Sequence, residues 1–310
     1  MRSALLRIAA DRFSRAIARF CVCARSFRPA FPWVLLSLIV ALPPVWANRS
    51  EARSVRAERG TLVVAVRWRL GIVVCADRRR LIDGDPNVAY RDDALKIIPA
   101  PPFALAVTYG TTVYGRQGGP RFDARESVKR FAANLGGSSL VRGADRLATQ
   151  LQTEMTESVE QGSLPPPQPR PGEPAVFAVM LFALEQGTVL EALLLGVNSE
   201  TGFQVQASLR PSNQFVTLLG HSAIAFAIRG TDPRFQDLRN DPWLGGFLIN
   251  PSPQALAYVS KHDAMQFGRK LIRATNERLP ALQETDDVSA DSDCAGLTRP
   301  EGFEWLPDVP

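Results

Sequence analysis

The chain predicts an α+β fold in which two antiparallel sheets stack face to face, with helices on the outside. Three observations lead there. β-Rich runs precede position 110, two helical segments follow, and a second set of β-rich runs comes after those helices. Strands grouped in this way, instead of alternating singly with helices, argue against the parallel sheet of a βαβ protein. At 310 residues, 45% hydrophobic and 22% charged, the chain is also long and apolar enough to bury a sizeable core.

The elements follow in order. An arginine-rich start leads into an apolar run, Phe31 to Leu42, and then Pro43-Pro44-Val45-Trp46-Ala47. A charged region, an apolar stretch and small residues before a cut are the parts of an export signal, with Val45 and Ala47 at its −3 and −1 positions. The apolar stretch falls short of the roughly 20 residues of a spanning helix. An uncut membrane anchor and an organelle transit peptide are the alternatives. Residues 1–47 are therefore read as an export signal or anchor, 48–60 as a charged, aperiodic linker or propeptide, and 61–310 as the folded domain.

Within that domain, Thr61–Trp68 and Leu70–Ala76 read as a tight antiparallel pair joined at Arg69. Asp83-Gly84-Asp85-Pro86 is a turn cluster. Ile97–Ile98 and Phe103–Thr108 are two further strands. Asp123 to Leu135 has helical spacing with Asp123 as cap, and Arg142 to Glu160 places Leu147, Leu151 and Met155 at four-residue steps. Gly162 to Ala175 is too rich in proline for a ladder or helix. Val176–Leu184, Val189–Val197, Gly202–Ser208 and Phe215–Leu219 then read as strands. Ser222–Ile228, Pro253–Ser260 and Ala264–Leu279 read as helices, and Gly302–Leu306 as a closing strand.

The formal charge of +5 does not point to nucleic acid. Residues 1–47 carry seven arginines against Asp11, so everything after them sums to about −1. With only His221 and His262, a histidine-rich metal site is not expected, and no motif calls for a cofactor. Cys75 and Cys294 are the cysteines outside the leader. They can form one bridge in an oxidising compartment, but the simpler expectation is two separate small core residues.

The segment with most chemical content is Gly60-Thr61-Leu62-Val63-Val64-Ala65-Val66, followed by Cys75-Ala76-Asp77-Arg78-Arg79 and by Lys96-Ile97-Ile98. That order resembles the start of a proteasome β-type subunit, a member of the N-terminal nucleophile hydrolases. The resemblance implies a four-layer αββα sandwich and self-cleavage between Gly60 and Thr61, after which Thr61 is the nucleophile. An N-terminal threonine carries hydroxyl and amine on one residue, and the amine, with an ordinary pKa near 7.7–8.0, can serve as general base. Lys96 would keep that amine neutral, Asp77 would hold Lys96, and Arg79 would brace Asp77. Gly110 falls where the family places an oxyanion-binding N–H, glycine being needed there because a side chain would block substrate. Leu219-Gly220-His221-Ser222-Ala223 stands where the family has a Gly-Ser-Gly-Ser turn, so that either Ser222 fills the serine role with a shift or His221 has replaced it. Asp286 and Ser289 echo its later Asp-x-x-Ser.

The resemblance further implies a peptide or small amide substrate, no cofactor and no metal. Membrane contact would be made only through residues 1–47, and a homo-oligomer is compatible with it. Two other readings compete. Gly220-His221-Ser222-Ala223-Ile224 partly matches the nucleophile elbow of serine hydrolases, with Asp241 and His262 following in the right order. The same fold can also serve as a non-catalytic interaction or assembly protein if Thr61 stays internal.

Overall fold

The computed structural model describes residues 55–59, 62–83, 90–100, 104–116, 119–133, 139–169, 175–186, 188–200, 202–210, 215–220, 223–230, 232–249, 258–282 and 288–307. The expected leader (1–47), the turn at Gly84-Asp85-Pro86 and the residues Gly60, Thr61, His221, Ser222 and Asp286 lie outside these. All described residues belong to one compact unit, Arg53–Pro310.

The fold is α+β, with three five-stranded antiparallel sheets among the described residues. The first begins with β2 (Leu62–Trp68) and β3 (Gly71–Asp77), a hairpin in which Trp68 faces Gly71. Branched residues dominate both strands, as suits a pleated surface packed on its two faces. β3 is buried throughout and lies centrally, in the order β13 (Val216–Gly220), β2, β3, β14 (Ser292–Thr298), β15 (Gly302–Leu306). The second sheet runs β12 (Gly202–Arg210), β11 (Thr188–Ser199), β10 (Phe177–Glu185), β7 (Ala104–Gly110), β6 (Ile97–Ala100).

Two helices separate β7 from β10 in sequence. Asp123 caps α1 (Ala124–Ala133): its Oδ1 accepts from the N–H groups of Arg125 and Glu126 at 3.1 and 3.2 Å. In α2 (Leu140–Gly162) the stripe Leu147, Leu151 and Met155 is fully buried and joins one apolar cluster with Phe177, Val179 and Leu181 of β10. After β13 come three short helices, α3 (Ala223–Arg229), α4 (Gln236–Asn240) and α5 (Leu244–Ile249). They are followed by α6 (Lys261–Arg278), opened by a reciprocal cap between Ser260 and Asp263. Phe267, Leu271 and Ile272 of α6 share a second cluster with Leu62, Val64, Val66 and Val73. Each such fully buried side chain stabilises by about 1.5–3 kcal/mol.

Alternate residues of the same strands face the other way. Val63, Ala65, Ile72 and Val74 pack in a third cluster with Val107, Met180 and Leu193 of the second sheet. Among the described residues no helix is long and apolar enough to cross a membrane.

Four features depart from the sequence expectations. The segment expected to be an irregular linker contains a strand, β1 (Val55–Arg59), at the centre of the third sheet. That sheet runs β5 (Tyr90–Arg91), β4 (Arg80–Asp83), β1, β8 (Val113–Arg116), β9 (Arg121–Asp123), and none of the other four strands is expected from the sequence either. Cys75 and Cys294 are not separate core residues: they face each other across β3 and β14 and form a disulfide, bringing together Cα atoms 219 positions apart to 4.1 Å. Finally, Tyr258, Val259 and Ser260 are not helical, because Ser260 is already the cap of α6.

Candidate active site

The candidate site gathers at one end of β3. That strand ends on Asp77, whose carboxylate is completely buried. A buried unpaired carboxylate is costly, so its partners decide whether it is tolerable. Here every lone-pair direction is used. Oδ1 accepts the N–H of Leu62 at 2.7 Å and the Lys96 ammonium at 2.8 Å. Oδ2 accepts the N–H groups of Arg79 at 2.9 Å and Ser289 at 3.2 Å. Asp77 thereby ties together the starts of β2 and β6, the turn after β3 and the loop before β14.

Lys96 is itself only 5% exposed. Besides Asp77 it donates to the carbonyl oxygen of Arg79 at 2.6 Å. The main chain positions it, because β6 begins at the next residue and Lys96 accepts from the Thr108 N–H of β7. A cation is therefore held by two oxygens beside the first described residue after Thr61.

Arg79 acts differently from the expectation. Its guanidinium does not brace Asp77; it forms a two-pronged pair with Asp92 at 2.8 and 3.1 Å and lies 5.6 Å over the Tyr90 ring. The Asp77 contact is made by the Arg79 backbone, which needs no particular side chain. Hydrogen bonding from Arg79 holds the Asp92 carboxyl below its ordinary value, and Arg80 does the same for Asp93. The doublets Arg79-Arg80 and Asp92-Asp93 staple the base of the β4–β5 hairpin, a complementary charge pattern already present in the sequence.

Ser289 also acts through its main chain toward Asp77, while its hydroxyl accepts from the N–H of Asp291 at 3.1 Å. The Asp291 carbonyl in turn accepts the Arg78 N–H, and Arg78 pairs with Asp293 at 2.6 Å. The loop before β14 is thus clipped to the turn after β3 at several points.

Gly110 ends β7 with φ +78°. A Cβ there would lie 2.7 Å from the Val176 carbonyl oxygen. Glycine is thus required by the local backbone. Gly110→Ala is expected to lose about 1–3 kcal/mol from backbone strain alone, with further loss from the contact with Val176. Urea denaturation reads this directly, and an unchanged midpoint would contradict it.

Gly60, Thr61, Ser222 and Asp286 lie outside the described residues, but the residues that flank the first three, Arg59 with Leu62 and Gly220 with Ala223, do not. Leu62 is on Asp77, and Gly220 is the register partner of Leu62. The serine-hydrolase reading fares worse: Asp241 caps α5 through Trp243 and Leu244 and pairs with Lys270, so its carboxylate is engaged away from His262. A cleft of about 320 Å³ between α2 and β12, lined by Asp145, Thr149 and Gln152, contains none of the residues discussed.

Chemically, the arrangement offers a buried cation fixed by a fully satisfied carboxylate, next to the chain that leads out of Gly60-Thr61. Set against known proteins, the chain matches no family model and no curated protein.

Proposed function

We propose that this chain is the precursor of an N-terminal threonine hydrolase that cuts peptide bonds. In this reading the sheets and helices form a four-layer αββα sandwich similar to a proteasome β subunit, and cleavage between Gly60 and Thr61 creates its nucleophile. The observation that carries the proposal is the buried Asp77–Lys96 pair, anchored to the Leu62 N–H at the start of β2.

The chemistry follows from those groups. In the precursor, the Thr61 hydroxyl attacks the Gly60 carbonyl carbon; the C–N bond breaks, leaving an ester and a free Thr61 amine. Water then cleaves the ester, releasing a Gly60 carboxylate. In the mature enzyme the amine accepts the hydroxyl proton as oxygen attacks a substrate carbonyl, and returns it to the leaving amine. The Lys96 ammonium, paired with Asp77, disfavours protonation of the amine and keeps it available as base. The Gly110 N–H is assigned to the developing oxyanion. Water then hydrolyses the acyl-threonine.

A peptide is favoured over a small amide as substrate because β1 is accommodated as a strand between β4 and β8, which leave the site on either side. The Cys75–Cys294 bridge supports export to an oxidising compartment, in line with the expected leader. Neither nucleic acid nor a cofactor is needed, membrane contact is confined to residues 1–47, and a homo-oligomer remains compatible.

The test is substitution at the nucleophile. Thr61→Ala should leave the preceding segment attached and lower peptide hydrolysis by at least about 1,000-fold, while Thr61→Ser retains both reactions at reduced rate. Unchanged processing in Thr61→Ala, read by intact mass, would contradict the proposal.

A further inference from the structure

β1 is the third of five strands, and among the described residues it is the only strand that links the two halves of its sheet. On one edge Ala57, Glu58 and Arg59 face Asp83, Ile82 and Leu81 of β4. On the other, Val55, Arg56, Ala57 and Glu58 face Arg116, Gly115, Tyr114 and Val113 of β8. With β1 between them, β4 and β8 stand two strand spacings apart, about 9.6 Å, too far to pair directly. Their outer edges are already occupied by β5 and β9. β4 follows within three residues of Asp77, and β8 within three of Gly110.

We infer that cleavage after Gly60 does not by itself open the site: the cut segment stays seated as a strand between β4 and β8 and inhibits the enzyme until it leaves. This rests on the function proposed above. Cleavage removes one covalent bond and none of the ladder hydrogen bonds on either edge of β1. What changes is concentration, since an attached strand is held at millimolar effective concentration and a detached one is diluted into solution. Release is therefore a second activation step that depends on dilution, and an added copy of the segment restores inhibition. A substrate reaches Thr61 only by taking the same place, so the two compete.

The experiment uses the full chain after maturation. Denaturing intact mass should show a chain beginning at Thr61, while native mass of the same concentrated sample still includes the preceding segment. A synthetic peptide of residues 48–60, added to diluted enzyme at millimolar concentration, should raise the apparent KM about tenfold without changing kcat. The same peptide carrying Ala57→Pro lacks the N–H of the residue paired on both edges and should not inhibit. A chain not cut before Thr61 overturns this inference together with the function it rests on. A cut chain that has lost the segment in native mass, and that the 48–60 peptide does not inhibit, overturns this inference alone.

Discussion

Lys96→Ala is expected to stop cleavage at Gly60–Thr61 and to destabilise the fold at the same time. The substitution leaves Asp77 completely buried with three main-chain donors and, among the described residues, no counter-charge. Removing one partner of a buried pair costs about 3–5 kcal/mol, because the desolvated charge that remains is uncompensated. For a domain of this size that lowers the melting temperature by roughly 6–20 °C. The catalytic loss has a different cause, since the threonine amine would lose the charge that keeps it neutral. The two effects separate in the double variant Lys96→Met with Asp77→Asn, which removes both charges of this pair. Stability should partly recover there while cleavage stays absent. Recovery of cleavage would show that the pair is only structural.

The second large effect concerns the Cys75–Cys294 bridge. It joins β3, two residues before Asp77, to β14, which follows Ser289. Closing a loop with sequence separation 219 constrains the unfolded chain strongly, so Cys75→Ala with Cys294→Ala should lose about 2–4 kcal/mol. The packing around it leaves no room to compensate. At Gly268 of α6 a Cβ would come within 2.8 Å of the Cys75 sulfur, so the helix passes directly over the bridge. Both cysteines are at most 1% exposed, and reductant should act only as the fold opens. Thermal unfolding of the double variant and of the reduced protein checks this; equal stability of the bridged and unbridged forms would contradict it.

Local signals account for what was legible beforehand. The β2–β3 hairpin is two branched apolar runs broken at Arg69, and α1 and α2 announce themselves by an aspartate cap and a four-residue apolar stripe. Asp77 and Lys96 stood out because Ala76-Asp77-Arg78-Arg79 and then Lys96 fall in the order that resembles a proteasome β-type subunit, and lysine is scarce in this chain. What stayed hidden depends on contacts distant in sequence or on main-chain groups. The segment Val-Arg-Ala-Glu-Arg of β1 has only Val55 and Ala57 as apolar residues, too short an alternation to mark a strand; it is one because β4 and β8, far along the chain, offer it two edges. Arg79 and Ser289 meet Asp77 through backbone N–H groups, which any residue supplies, so side-chain identity misled for Arg79. The disulfide pairs residues brought into register by β3 and β14, and nothing local marks either cysteine.

The central claim is that the bond between Gly60 and Thr61 is cut and that Thr61 becomes the working N-terminus. Intact mass and N-terminal sequencing of the purified protein test it most directly. The account predicts a chain whose first residue is Thr61. A homogeneous chain that begins near Asn48 or at Met1, with Gly60 and Thr61 still joined, would contradict it and leave a binding or assembly protein built around an internal threonine.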